Sequence, residues 1–171
     1  EAAFREAGIP WRYLTVLVKP EDLGDAVRGM RAMNWRGVNL TIPHKIAVIP
    51  HLDALSPAAE IIGAVNTVVN REGRLTGENT DGKGMLKSLV ENGRNPKGLH
   101  VTVLGAGGAA RAVAVECALA GARKVTIINR TALRGEGLAS LISGKTAAAC
   151  EFLPWAPKMK VPEGTDLIIN A

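Results

Sequence analysis

Two groups of residues in this chain could do chemistry together. The first is an amine and a carboxylate, Lys45 and Asp81, set among uncharged hydrogen-bonding residues: Asn39 and Thr41 before the lysine, Asn66 and Thr67 between the two, Asn79 and Thr80 before the aspartate. A positioned ammonium can stabilise the negative charge that grows on a carbonyl oxygen as hydride arrives, and can supply the proton. A carboxylate can hold that ammonium in place and accept from a neighbouring hydroxyl, while Asn and Thr offer donors and acceptors for a polyol without adding charge. Taken alone, Lys45 reads as a solvated surface lysine and Asp81 as a turn residue or helix cap. Their company decides the matter.

That company is the second group, Val101-Thr-Val-Leu-Gly-Ala-Gly-Gly-Ala-Ala-Arg111, an apolar run that breaks into glycines and reopens as an alanine-rich helical pattern. The spacing Gly105-x-Gly107-x-x-Ala110 is the dinucleotide fingerprint: Gly105 for the tight turn, Gly107 for close approach of backbone to a pyrophosphate, Ala110 for close packing of helix on sheet. The amides of Gly107, Gly108 and Ala109 are then expected to point at phosphates from a helix N-terminus. An NAD site normally carries Asp or Glu roughly 20 residues past the glycines, to accept from the ribose 2′-hydroxyl. This chain has Asn129-Arg130-Thr131 there, and then Arg134. Guanidinium groups pair with a 2′-phosphate that a carboxylate would repel, so the expected cofactor is NADP. Two exposed arginines at a helix start are the plainer alternative.

The elements that position these groups alternate. Glu1 to Gly8 reads as the end of a helix, Tyr13 to Val18 as a strand, and Pro20 to about Asn34 as a helix with Leu23, Ala26, Val27 and Met30 on one face. Gly37 to Pro43 reads as a second strand, with short helical segments flanking Ser56-Pro57. Ala64 to Arg71 and Arg74 to Thr76, split by Glu72-Gly73, carry a hairpin signal, and Gly77 to Gly82 reads as a loop before a helix from about Lys83 to Glu91. Asn92-Gly93 and Asn95-Pro96 mark a boundary between halves. Beyond the glycine turn come a helix from about Ala109 to Ala120 stopping at Gly121, strand Lys124 to Asn129, helix Ala132 to Ile142 and strand Asp166 to Asn170, the alternation of a doubly wound sheet. Thr146 to Thr165, with its prolines, offers no clear pattern.

Composition narrows the class. A chain of 171 residues, 47% hydrophobic, has apolar surface for one domain or two small ones. A net charge of +5 favours an anionic ligand but is too scattered to argue for nucleic acid. Cys117 and Cys150 fit no ligand spacing and read as buried reduced thiols, and His44, His51 and His100 share no spacing with a carboxylate or cysteine cluster, so no metal is expected. Trp11, Trp35 and Trp155 read as packing residues. Without a leader or a long apolar run, the expected compartment is the cytoplasm, with no membrane partner. The first residue, Glu1, and the closing strand Asp166 to Asn170 make the chain read as an internal fragment.

Five stretches, Gly37-Val-Asn-Leu-Thr-Ile-Pro-His-Lys45, Gly63-Ala-Val-Asn-Thr67, Asn79-Thr-Asp-Gly82, Gly105-Ala-Gly-Gly-Ala109 and Asn129-Arg-Thr131, resemble in order and spacing the motif set of the shikimate dehydrogenases. The resemblance implies an α/β protein with a Rossmann-type NADP-binding domain over residues 93–171 and a smaller α/β substrate-binding domain over residues 1–92. It implies an NADP-dependent alcohol dehydrogenase of the shikimate pathway, within chorismate and aromatic amino-acid biosynthesis, reversibly reducing the ring ketone of 3-dehydroshikimate to shikimate. Carried over by motif, Lys45 is the catalytic lysine, Asp81 its partner and a substrate ligand, and Thr41 and Asn66 bind substrate hydroxyls. Gly105, Ala106, Gly107, Gly108 and Ala109 line the pyrophosphate, and Asn129, Arg130, Thr131 and Arg134 the adenosine 2′-phosphate.

Family members also carry an N-terminal serine pair that binds the substrate carboxylate, and a C-terminal part with a nicotinamide contact and a substrate-binding glutamine; neither has a match here. The strands beyond the point where strand order reverses are expected to be missing, with an exposed edge in each half. Two other functions fit the same residues: a quinate/shikimate dehydrogenase using NAD, against which Arg130 and Arg134 argue, and a non-catalytic sensor of pathway intermediates, against which Lys45 and Asp81 argue.

Overall fold

The computed structural model describes residues 1–171 as two four-stranded sheets joined through helices. The first half runs α1 (Ala2–Glu6), a 3₁₀ turn at Pro20–Asp22, α2 (Leu23–Ala32), β1 (Gly37–Asn39), α3 (His44–Ala47), β2 (Ala54–Leu55), α4 (Pro57–Ile62), β3 (Thr67–Arg71), β4 (Arg74–Glu78) and α5 (Thr80–Glu91). Its sheet order is β1-β3-β4-β2. The β3/β4 hairpin turns through Glu72 and Gly73, both at positive φ, the geometry that matches the twist of its flanking strands. Ser56 caps α4 by accepting from the Ala59 amide at 3.3 Å, and Pro57 fills the first helical position. As expected, Leu23, Val27 and Met30 of α2 are buried; they pack with Val48, Ala59, Val65, Val68 and Leu75 into a small core.

The second half runs β5 (His100–Leu104), α6 (Gly108–Leu119), β6 (Lys124–Asn129), α7 (Ala132–Lys145), β7 (Ala149–Pro154) and β8 (Leu167–Asn170), an all-parallel sheet ordered β7-β6-β5-β8. Val101 and Val103 of β5 and Val125 and Ile127 of β6 face α6 in an 18-residue core, more than twice the size of the first. Helix α6 is apolar on almost every side because it is covered on almost every side, by the sheet, α4, α5 and α7. Helix α4 belongs to both cores: Ala59 packs into the first, Ala58 and Ile62 into the second. No helix is long and apolar enough to cross a membrane.

Several expectations need correction. Tyr13 to Val18 forms no strand: its β-forming residues have no neighbouring strand to bond, and Tyr13, Leu14, Val16 and Leu17 stay exposed. The strand foreseen over Gly37 to Pro43 ends at Asn39, because the His44 amide closes a turn on the Thr41 carbonyl at 2.9 Å. The loop foreseen over Gly77 to Gly82 is instead the end of β4 and the first turn of α5, which Asn79 caps. Helix α7 continues to Lys145, one turn past Ile142. The unread stretch from Thr146 contains β7, an edge strand whose closing Pro154 needs no outward ladder partner. The most consequential correction concerns β8: it pairs with β5 on the side opposite β6, so the reversal of strand order is present in this chain. Of the tryptophans, Trp35 packs on the first core; Trp11 meets Phe4 edge-on and lies under Arg36, and Trp155 is half exposed.

Candidate functional site

Four segments converge on Asp81. The turn after β1 leads into α3, which carries Lys45, and the Lys45 carbonyl accepts from the Val65 amide at 2.8 Å. Asn66 stands one residue before β3, its amide donating to the Glu78 carbonyl of β4 at 3.0 Å. The antiparallel register sets Thr67 against Glu78, so residues 79–81 emerge beside residue 66. There α5 begins: the Asn79 side chain accepts from the Asp81 amide at 3.2 Å, and the Asn66 Oδ1 accepts from the Thr80 amide at 2.9 Å. Two of the helix's orphan donors are thus satisfied, and a carboxylate in its first turn suits the helix dipole.

Those bonds fix the chemistry of the pair. The Thr80 amide can only donate, so the atom of Asn66 facing it is the oxygen, and the Asn66 Nδ2 is left to donate to Asp81 Oδ1 at 2.8 Å and Thr80 Oγ1 at 3.0 Å. Asp81 is therefore held as an acceptor, with Lys45 Nζ 3.0 Å from its other oxygen. The lysine and aspartate side chains remain 31% and 48% exposed, open to a solute, whereas Asn66 is buried and both of its amide hydrogens are engaged within the protein. Thr67 Oγ1 donates to Asn66 Oδ1 at 3.1 Å, Asn39 donates to Thr67 at 3.0 Å and the Tyr13 hydroxyl to Asn39 at 3.1 Å. Thr41 is exposed, with its side chain outside this network. The tyrosine had no sequence signal, since its β-forming neighbours argued for a strand.

The glycine turn lies at the C-terminal ends of β5 and β8, where strand order reverses and ligands of open α/β sheets bind. Gly105 has φ +125°, and a Cβ there would run into the Ala171 carbonyl and stand 3.3 Å from the Ala110 methyl. Gly107, Gly108 and Ala109 are exposed, nothing stands within 4 Å of where a Cβ would sit on either glycine, and no side chain caps α6. Its first-turn amides are open to an anion. Ala106 packs at the margin of the core beneath them. At the end of β6, Asn129 Nδ2 donates to the Thr131 carbonyl at 2.9 Å and orders the turn; Arg130, Thr131 and Arg134 are exposed, and neither arginine is engaged in an ion pair. The residues fit a dinucleotide bearing a further phosphate.

Helix α5 brings the two groups into one structure by packing on α6. Gly82, next to Asp81, lies against Ala112 and Glu116 with no room for a methyl group, a packing role that its place in a foreseen loop concealed. Glu116 is buried at this crossing, and one carboxylate oxygen has no partner. Burial raises its pKa above the ordinary value, and Glu78 adds to the rise while Lys83 opposes it. Burial likewise pushes the thiols of buried Cys117 and half-buried Cys150 up to about 11 and about 12, so both are protonated at neutral pH, though only the first is enclosed as expected. His44 is half-buried, its Nε2 2.9 Å from the Val18 carbonyl.

A parallel sheet reversing at a glycine turn, packed through α4 and α5 against a smaller mixed sheet beside which a lysine–aspartate pair stands, defines a two-part α/β architecture of Rossmann type. Residues 1–68 match the shikimate dehydrogenase substrate binding domain, and residues 87–168 match shikimate / quinate 5-dehydrogenase. The chain belongs to the shikimate dehydrogenase family. It is 46% identical to the shikimate dehydrogenase (NADP(+)) of Desulforamulus reducens over 99% of its own length and 60% of that protein's. Among solved structures, it matches the ligand-free 5-ketofructose reductase of Gluconobacter sp. strain CHM43 at 51% identity and TM-score 0.94, covering 99% of this chain and 61% of that one. It also matches the shikimate 5-dehydrogenase of Thermus thermophilus in complex with NADP(H) and shikimate, at 39% identity and TM-score 0.77, over 99% of this chain and 60% of that one. The chain spans about 60% of the length of these relatives.

Proposed function

We propose that the protein is an NADP-dependent shikimate dehydrogenase, reversibly reducing the ring ketone of 3-dehydroshikimate to shikimate, with residues 1–92 as the substrate-binding half and residues 93–171 as the NADP-binding half. The observation that carries the reading is the Lys45–Asp81 pair at 3.0 Å, exposed to a solute and held by Asn66. The dinucleotide, when bound, supplies or takes up the hydride. Lys45 stabilises the charge growing on the carbonyl oxygen and delivers the proton, and Asp81 keeps the ammonium oriented and accepts from a substrate hydroxyl. Thr41, exposed after β1, adds a hydroxyl contact, and Asn66 contributes by fixing Asp81. The open amides of Gly107, Gly108 and Ala109, with Gly105 and Ala106 shaping the turn, receive the pyrophosphate, and Asn129, Arg130, Thr131 and Arg134 receive the 2′-phosphate. This reading carries with it a cytoplasmic location.

The likeness to the Gluconobacter enzyme favours a second reading, reduction of a polyhydroxylated keto-sugar through the same pair. Both substrates present a ketone beside a hydroxylated carbon, which the lysine, aspartate and uncharged Asn and Thr residues accommodate alike. The deciding experiment follows NADPH oxidation with 3-dehydroshikimate and with 5-ketofructose in parallel, and the reverse reaction with shikimate and quinate. The first reading expects kcat/KM to be highest with 3-dehydroshikimate; a higher value with 5-ketofructose replaces it with the second, and oxidation with neither removes both.

A further inference from the structure

Arg111 lies in the second turn of α6, behind the amides that face the dinucleotide site, and its side chain leaves its own half of the molecule. Nη2 donates at 3.3 Å to the carbonyl of Ile61, at the C-terminal end of α4. Its Nε is buried without a partner. Removing a donor of a charged group from water costs free energy, and an exposed arginine could avoid that cost by swinging outward. Arg111 stays in.

What it grips explains why the position matters. Helix α4 is the element shared by both cores, and it ends at Gly63 with φ +69°, where a Cβ would stand 3.7 Å from the guanidinium. The three residues that follow are bonded to every segment that builds the candidate pair. The Ala64 carbonyl accepts from Asn79 Nδ2 at 3.1 Å, the Val65 amide donates to the Lys45 carbonyl at 2.8 Å, and Asn66 bonds the Glu78 carbonyl through its amide and the Leu40 amide through its carbonyl. A side chain on a helix leans toward the N-terminus, so Arg111 spans from the phosphate-facing turn of α6 to the start of this segment.

We propose that Arg111 is a positioning residue that couples occupancy of the dinucleotide site to the setting of Lys45 and Asp81, acting through Ile61 and Gly63–Asn66. The proposal rests on the assignment of the first turn of α6 to the dinucleotide. Cofactor seated there fixes the end of α6; Arg111 passes that order to the end of α4, and the segment beyond holds the lysine carbonyl and the asparagine cap of α5 in register. Coupling between two sites is reciprocal, so substrate tightens cofactor binding by the same factor as cofactor tightens substrate binding.

Backbone hydrogen exchange at residues 63–66, with and without NADP+, tests this in the wild type, Arg111→Ala and Arg111→Lys. In the wild type NADP+ slows exchange there. In Arg111→Ala NADP+ still binds alone, with Kd changed by less than about threefold, but the slowing is lost, and the roughly tenfold tightening of NADP+ by 3-dehydroshikimate expected in the wild type, a size ordinary for coupled sites, shrinks toward none. Arg111→Lys, which keeps a donor, retains part of the slowing and decides the question if the alanine variant does not fold. Slowing that persists undiminished in both variants overturns the proposal and leaves the site assignment standing. Loss of NADP+ binding in Arg111→Lys overturns it by making Arg111 a cofactor ligand, and failure of the wild type to bind NADP+ removes the site assignment itself.

Discussion

Asn66 donates to Oδ1 of Asp81 across 2.8 Å while accepting from the amide of Thr80, the residue immediately before that aspartate. One buried side chain therefore caps a helix and aims the carboxylate that the same helix presents. Replacing Asn66 by Ala leaves the Thr80 amide and one carboxylate oxygen without partners. The expected loss is about 1 to 3 kcal/mol of folding stability, read as a lowered urea midpoint, together with a fall in kcat. Wild-type stability in the variant would show that water replaces both bonds without cost.

Lys45→Ala removes the ammonium but touches nothing at the glycine turn. Turnover is expected to fall by about 10² to 10⁴, the usual share of a general acid, with NADP+ affinity nearly unchanged by fluorescence titration. Near-normal turnover would take the proton-donor role away from Lys45.

Arg130→Ala and Arg134→Ala test cofactor choice. Each removes one cation free to meet a 2′-phosphate, and a charge-assisted hydrogen bond contributes about 1.5 to 3 kcal/mol. The expected result is at least roughly a tenfold rise in KM for NADPH and little change for NADH. Equal changes for both cofactors would mean that neither arginine reads the phosphate.

Glu116→Gln separates burial from charge. Because burial raises the folded-state pKa of Glu116, the folded protein holds this proton more tightly than the unfolded chain does. The stabilising contribution of the protonated form is full below the ordinary carboxylate pKa and is lost as pH rises through the raised folded value. The glutamine does not titrate. Its stability relative to wild type is therefore expected to improve as pH rises above the ordinary carboxylate pKa of about 4, measured as the difference in urea midpoints. An unchanged difference over that rise would contradict the raised pKa.

Much of this architecture was legible in residue order because the informative signals are local. The Ser56-Pro57 helix start, the Glu72-Gly73 turn and the strand–glycine–helix sequence at Gly105 each depend on a few neighbouring residues, and each stands where it was expected. What escaped depends on partners distant in the chain. Tyr13 to Val18 has strand composition but no neighbour to pair with, while Ala149–Pro154, with weak strand composition, is a strand because β6 lies beside it. The site divides in the same way. Lys45 and Asp81 were identifiable by type and company, whereas the engagement of Asn66 with Thr80, the cap supplied by Asn79 and the bond from Arg111 to Ile61 arise only when remote segments meet.

The close approach of Gly82 to Ala112 has a mechanical consequence. If the halves of the molecule rock against each other, a contact that tight is a natural fulcrum, and Asp81 is covalently next to it. A group beside a pivot has almost no lever arm. Swinging one half would sweep distant loops through wide arcs while the carboxylate stayed nearly still beside α6.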